Sequence, residues 1–214
     1  MDKKLDIISL NKKAWNNVAK KYNNAQYSKL NPAIEFFCRE LPKRGSILDI
    51  GSGTGLPFAK LFLEKGFDYL GVDISSRMIK IARKNVPSAK FKEKSMTDLN
   101  CNREFDGVFS HYTMLLLNPD MFKDVARRVV KSLKRNGLFY LSLNEPKVKD
   151  ADLDEDVICE IMGEIMYSRA YTEEEILDVF TPLEVKKLQI YRETQNSEEF
   201  GIEYMLVFVF QKIG

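Results

Sequence analysis

The sequence predicts an α/β fold: a doubly wound, mostly parallel sheet with helices on both faces and an antiparallel hairpin at its C-terminal edge. Three observations carry this expectation. From residue 46 to 143, short apolar and β-branched runs alternate with amphipathic stretches of helical length. Such alternation calls for right-handed crossovers and a sheet covered on both sides. A glycine cluster, Gly51, Gly53 and Gly55, directly follows the first strand-like run and opens a helix. Near the end, the runs 183–192 and 202–211 are joined by the polar segment 193–201, the pattern of an antiparallel pair.

Residues 1–42 read as an N-terminal helical cap. Within it Asn31-Pro32 supplies an N-cap and a proline at the first helical position, so 33–41 is a helix. Strand one is 46–50. The helix at 56–65 ends at Gly66, where a left-handed cap is wanted. Strand two is 69–73; Ser75 or Ser76 caps a helix to Asn85, which Val86-Pro87 stops. Strands three and four fall at 89–93 and 105–110. Asn118-Pro119 opens a helix to about Lys134, Asn136-Gly137 ends it, and 138–143 is strand five. Residues 46–143 are thus the core of a single domain, 1–214. Residues 144–171 form an acidic lid or insertion in which Ile158, Ile161, Ile165 and Met166, at helical spacing, predict a packed lid helix. The last part, 172–214, holds the final helix and the edge hairpin. That helix opens on the capping box Thr172-Glu-Glu-Glu175 and closes at Thr181-Pro182.

Composition narrows the partners. The 214 residues carry 33 Lys plus Arg against 31 Asp plus Glu, so nothing in the net charge favours a polyanion. Between Asp150 and Asp178 stand eleven acids and one base, Arg169, a segment that repels phosphate backbones. Nucleic acid is therefore disfavoured and a small-molecule partner expected, with no length left for a docking domain. The three cysteines, widely spaced and without CxxC, give neither a disulfide framework nor a metal pattern. No 18-residue apolar run and no N-terminal apolar h-region occur, so the expectation is a cytoplasmic protein away from membranes.

The chemistry gathers at Ile47-Leu-Asp-Ile-Gly51-Ser-Gly53-Thr-Gly55. Glycines there permit positive φ and close approach of a ligand, and the helix that follows favours acceptor groups at its start. Asp73, ending strand two, places a carboxylate where it can accept hydrogen bonds from ribose hydroxyls. Loop and acid together describe a nucleoside site. The spacing is GxGxG, with Leu56 where a dinucleotide fingerprint has its third glycine, which disfavours an NAD-dependent oxidoreductase. No GxxxxGK[ST] loop is present.

On these residues the chain resembles the class I S-adenosylmethionine-dependent methyltransferases, a Rossmann-like family. Residues 48–55 match its first motif, and Gly71-Val-Asp73-Ile-Ser-Ser-Arg-Met78 its acidic second motif. Lys94-Ser95-Met96-Thr-Asp98, Phe105-Asp106-Gly-Val-Phe-Ser110 and Asn136-Gly-Leu-Phe-Tyr140 follow in the family's order, and Tyr167-Ser-Arg-Ala-Tyr171 resembles a segment of its small-molecule members. The resemblance implies S-adenosylmethionine as cofactor. Gly51, Gly53 and Gly55 would pass beneath its methionine part, with Asp49 near the amino group and Ser110 lining that side through its carbonyl. Asp73 would hold the ribose, and Ile74 and Met78 would pack on adenine. Ser95 and Met96 would edge the adenine; Ser95 replaces an Asp common in the family, leaving backbone contacts or Asp98 to supply part of that recognition. Tyr22, on a helix with Trp15, would close over the cofactor.

The implied reaction is methyl transfer by in-line displacement to an oxygen, nitrogen or carbon centre of a small molecule. His111, with Tyr112 beside it, is the candidate general base just beyond strand four, and Tyr167, Arg169 and Tyr171 are candidate acceptor contacts. No Asn-Pro-Pro-Tyr run follows strand four, which disfavours nucleobase amines as acceptors. A non-catalytic S-adenosylmethionine-binding regulatory module is the competing reading from another class.

Overall fold

The computed structural model describes residues 5–25, 31–146, 158–197 and 201–214. The chain runs α1 (Ile7–Ala25), α2 (Pro32–Glu40), β1 (Ser46–Ile50), α3 (Phe58–Glu64), β2 (Asp68–Asp73), α4 (Ser76–Asn85), β3 (Lys90–Glu93) and β4 (Phe105–His111). It continues with α5 (Pro119–Ser132), β5 (Leu133–Glu145), β6 (Ile158–Ile161), β7 (Glu164–Tyr167), α6 (Glu173–Phe180), β8 (Val185–Ser197) and β9 (Gly201–Lys212). Seven strands form one sheet in the order β3-β2-β1-β4-β5-β9-β8. The first five are parallel, and β9 and β8 add antiparallel to β5. Chain direction across the sheet reverses between β1 and β4, which leaves a crevice at their carboxyl ends. Among the described residues no helix is long and apolar enough to cross a membrane.

The caps that the sequence announces are made. Asn31, Ser75 and Asn118 each accept a backbone N–H three residues on, and Thr172 and Glu175 close a reciprocal capping box. Each such cap satisfies a donor that the first helical turn leaves unpaired, worth about 1 kcal/mol. Two apolar layers sandwich the sheet. Phe122, Val125 and Val129 of α5 with Ile176 and Phe180 of α6 pack on Phe139, Leu141 and Phe208. On the other face Phe37 of α2 and Phe62 of α3 pack on Phe109, Tyr140 and Val207.

Three expectations need correction. The lid helix is the hairpin β6–β7, a separate two-stranded sheet. Its turn residues Met162 and Gly163 both have positive φ, 56° and 88°, the geometry of a tight hairpin and incompatible with a continuing helix. Ile158 and Ile165 are 43% and 51% exposed, so their helical spacing does not mark a packed face. The remainder of the acidic segment, 147–157, lies outside the described residues. Strand five begins at Leu133 and not at 138, because α5 stops at Ser132. The edge strands extend through most of the polar segment 193–201, since ladder pairing continues from Val185↔Lys212 to Ser197↔Gly201.

Asn11 fastens the N-terminal helix to the rest. Its side chain is buried; Nδ2 donates to Leu116 O and Tyr167 O (both 3.1 Å), and Oδ1 accepts from Tyr167 N (2.8 Å). One amide thereby joins α1, the turn after β4 and strand β7, whose own backbone groups have no ladder partner on that side. Asn11→Ala is expected to lower unfolding stability by about 2–4 kcal/mol, since it removes three buried hydrogen bonds to backbone groups. Urea unfolding checks the value, and faster amide exchange at Tyr167 checks the place.

Candidate cofactor and acceptor site

At the end of β1 the chain turns back on β2: Gly51 N and Ser52 N both donate to Val72 O, at 2.7 and 3.0 Å. Gly51 (φ 82°) leaves no space for a side chain, because a Cβ there would overlap the Thr113 side chain. Gly53 (φ 52°) is different. A Cβ there would meet nothing nearer than Tyr22 Cε1 at 3.7 Å, so the open side of Gly53 is the cavity itself. That cavity, at the carboxyl ends of β1, β2 and β4, encloses about 710 Å³ with its mouth included.

Asp73 stands on the wall. Its carboxylate accepts from Gly53 N (2.9 Å) and Ser75 N (2.8 Å), so it ties the glycine turn to the start of α4. Enclosure pushes its pKa up to about 6, and these two bonds hold it from rising further. Ile74, Met78, Ser95 and Met96 line the same cavity, as do Gly51 and Tyr22. Ser95 is engaged locally: its hydroxyl accepts from Thr97 N and lies 2.7 Å from Thr97 Oγ1. Asp98 is not on the wall. Tyr22 packs edge-on against Trp15, ring centroids 5.6 Å apart, and both face the cavity from α1.

Other expected residues stand behind the wall. Asp49 is 3% exposed and accepts from Tyr69 Oη at 2.6 Å, under the turn and not beside the cavity. Burial raises its pKa to about 7 against the opposing Tyr69 bond. Gly55 and Ser110 also lie off the wall; Ser110 is fully buried, one residue short of the cavity. The expected acceptor contacts Tyr167, Arg169 and Tyr171 are each at most 3% exposed and do not line this cavity. Arg169 pairs with Glu175 (2.6 Å) and lies over the Tyr171 ring, and Tyr171 Oη donates to Leu117 O. These groups hold β7 and α6 in place.

His111 and Tyr112 do line the cavity. His111 Nδ1 is 2.9 Å from Ser142 Oγ, and Phe58, Phe109 and Tyr112 ring the imidazole at centroid distances of 4.7–6.0 Å. Desolvation by these rings pushes its pKa down to about 3, so it is neutral near pH 7 and has lost most of the basicity a general base uses. Tyr112 adopts φ 53°, and its buried hydroxyl has no hydrogen-bond partner among the described residues. Sequence reading missed Ile8, Asn11, Lys94, Thr113, Leu116 and Leu117 on the wall. Thr113 and Lys94 were within reach, as neighbours of Tyr112 and Ser95; Leu116 and Leu117 stand on the turn after β4, and Ile8 and Asn11 reach the cavity through the docking of α1.

Sheet order, glycine turn and strand-tip acid together define an α/β domain of methyltransferase type. Residues 47–137 match the family described as "Methyltransferase domain". Over that stretch the chain is similar to S-adenosylmethionine-dependent methyltransferases, and its fold is theirs. It is 29% identical over 156 residues to carboxy-S-adenosyl-L-methionine synthase of Desulfotalea psychrophila, covering 69% of this chain and 62% of that protein. It is 28% identical over 152 residues to the putative methyltransferase YqeM of Bacillus subtilis, covering 63% and 59%. The chain thus spans about three fifths of the length of these curated relatives. Its fold resembles 1,6-didemethyltoxoflavin-N1-methyltransferase of Burkholderia thailandensis, solved with 1,6-didemethyltoxoflavin and S-adenosylhomocysteine. The TM-score is 0.76 at 18% identity, over 100% of this chain and 94% of that one.

The Asp49 carboxyl generates a pH test. Its folded-state pKa lies above the unfolded value of 3.8, so the folded chain keeps this proton longer and loses stability as pH rises from about 4 to 7. Asp49→Asn cannot ionise. It is expected to match the parent near pH 4 and to exceed it above pH 7, by up to on the order of 3–4 kcal/mol. Denaturant titrations at pH 4, 6 and 8 read the difference; a gap constant with pH refutes the assignment.

Proposed function

We propose that this chain, as a single methyltransferase domain, transfers the methyl group of S-adenosylmethionine to a small molecule. The observation that carries the reading is the pairing of Gly53, whose open side is the cavity, with the Asp73 carboxylate on the same wall. The residues fit the group. Asp73 offers a carboxylate to two ribose hydroxyls, Ile74, Met78 and Met96 offer apolar surface to a purine, and the Gly51–Gly53 turn offers bare backbone to the methionine part. Asp49 and Gly55 shape that turn from behind. Buried Trp15 Nε1, without a partner among the described residues, is a donor at the wall still to be satisfied.

When bound, the cofactor supplies a methyl made electrophilic by its sulfonium, open to in-line displacement by a nucleophile. The chain's part is to hold and align. Ile8, Trp15, Leu116 and Leu117 cover the cavity with apolar surface that excludes water. Ser142 fixes the His111 ring on the wall, where its aromatic surroundings keep it neutral. The competing non-catalytic module has the same cofactor cradle; labelled-methyl transfer to a metabolite extract separates the two.

Asp73→Ala should weaken binding of S-adenosylhomocysteine by at least about 100-fold, the loss of two charge-assisted hydrogen bonds. Gly53→Val should abolish it by filling the cavity. Affinity of the parent should fall as pH drops through about 6, where Asp73 takes up its proton and ceases to accept from both hydroxyls. His111→Ala should leave it near the parent value. Calorimetry at pH 5 to 8 with circular dichroism as fold control checks all four. Unchanged affinity in both Asp73→Ala and Gly53→Val overturns the site.

A further inference from the structure

Beside the cofactor cavity, the rim of β5, β9 and β8 collects hydrogen-bond acceptors that lack donors. Cross-strand register sets Asn144, Met205 and Glu193 in one row on one face of the sheet, and Glu203 stands two residues further along β9 on that face. Asn144 Nδ2 donates to Glu203 Oε1 at 3.0 Å. Asn144 Oδ1 and Glu193 Oε2 are shut off from solvent with no hydrogen-bond partner among the described residues, as is the Tyr112 hydroxyl. Neither Glu193 nor Glu203 has an ion-pair partner among the described residues. The nearby cation is already engaged: Arg192, on the opposite face, bonds Glu145 (2.9 Å) and Glu173 (2.7 Å).

Buried acceptors without donors are rare in folded proteins, and each one has a cost that a ligand donor removes. Here they share a sheet face with Glu193 and Glu203, neither of which has an ion-pair partner among the described residues. Tyr112 joins this rim to the cavity: its ring is part of the cavity wall, and Glu203 and Glu193 both act on its hydroxyl. One row below Asn144 lies Ser142, paired in register with His111. The row of Asn144 thus follows the row of Ser142 on the same face, toward the carboxyl end of β5.

We propose that this rim is the acceptor subsite and that the methyl acceptor carries a protonated amine, held by Glu193 and Glu203 with Asn144 Oδ1 and the Tyr112 hydroxyl. The inference rests on the methyltransferase reading and adds to it the charge class of the acceptor. An ammonium brings three donors and no acceptor, which is the complement of this rim. A carboxylate or phosphate ester in the same place meets repulsion from both glutamates.

The test uses the full chain saturated with S-adenosylhomocysteine and two matched probe pairs: 2-phenylethylamine against 2-phenylethanol, and 4-phenylbutylamine against 4-phenylbutanol. At least one amine should bind about tenfold tighter than its alcohol, as a charge-assisted bond requires. Glu203→Gln and Glu193→Gln should each remove most of that advantage while alcohol binding and S-adenosylhomocysteine binding stay unchanged. On the parent protein alone, raising salt from 50 to 500 mM should weaken the amine and not the alcohol. Equal binding of amine and alcohol, no binding of either, or an advantage that survives both substitutions overturns the proposal. Failure of the parent to bind S-adenosylhomocysteine at all is a separate result, one that overturns the methyltransferase reading and this inference with it.

Discussion

The site depends on one close approach. Gly51 and Ser52 turn back to share the carbonyl of Val72, and Thr113 from the strand on the other side fills the space where a Gly51 side chain would stand. Three strands, β1, β2 and β4, are thereby drawn together at their carboxyl ends, and the crevice at the reversal of chain direction takes its shape from that contact. Asp73 completes it. By accepting from Gly53 and Ser75 at once, it fixes the turn relative to α4 while keeping its carboxylate on the wall. A ribose entering the site competes with bonds the carboxylate already makes, so the empty turn is held close to the form a ligand needs. That is preorganisation by backbone donors, which lowers the ordering cost of binding.

Around this turn the sheet buries three titratable groups whose pKa values move in different directions for one reason. Asp49 and Asp73 are pushed up and His111 is pushed down, because enclosure disfavours whichever form is charged. Their effects on stability oppose each other. The two carboxyls favour the folded state on the acid side, while His111 must stay neutral and costs stability as pH falls from 6.5 toward 3. The imidazole sits in an aromatic wall and bonds Ser142, and its neutrality suits a chemistry in which the methyl group needs no acid to activate it.

Local signals were the legible part. Asn31-Pro32, Ser75, Asn118-Pro119 and the Thr172–Glu175 box are decided within four residues, and all four formed as read. The glycine spacing and Asp73 are likewise local, since a turn and the tip of the next strand suffice to place them on one crevice. What failed was whatever depends on partners distant in the chain. Ile158, Ile161, Ile165 and Met166 fit a helical period, yet Met162-Gly163 turned them into a hairpin that serves as a docking edge for α1. Arg169 reads as an acceptor contact until Glu175, six residues on, claims it. Asp49 is part of the local motif, yet its burial under the turn depends on Tyr69 of the neighbouring strand, which donates to it.

The two halves of the cavity consequently have different origins. The cofactor side is built from β1, β2 and the turns after them, a stretch of about fifty residues whose contacts are short in sequence. The cover is built by Asn11, which reaches 105 residues to Leu116 and 156 residues to Tyr167. Long-range closure of this kind has a larger entropy cost to form than the short contacts of the glycine turn. Ile8, Trp15 and Tyr22 share one helix with Asn11, and Asn16 of the same helix accepts from Ser75 Oγ and Arg77 N, so the cover is tied both to β7 and to the start of α4 behind Asp73. The turn that shapes the cradle is therefore set by neighbours in the chain and the cover by partners far along it, so a change in the Asn11 contacts alters the cover without removing any bond of the Gly51–Gly53 turn.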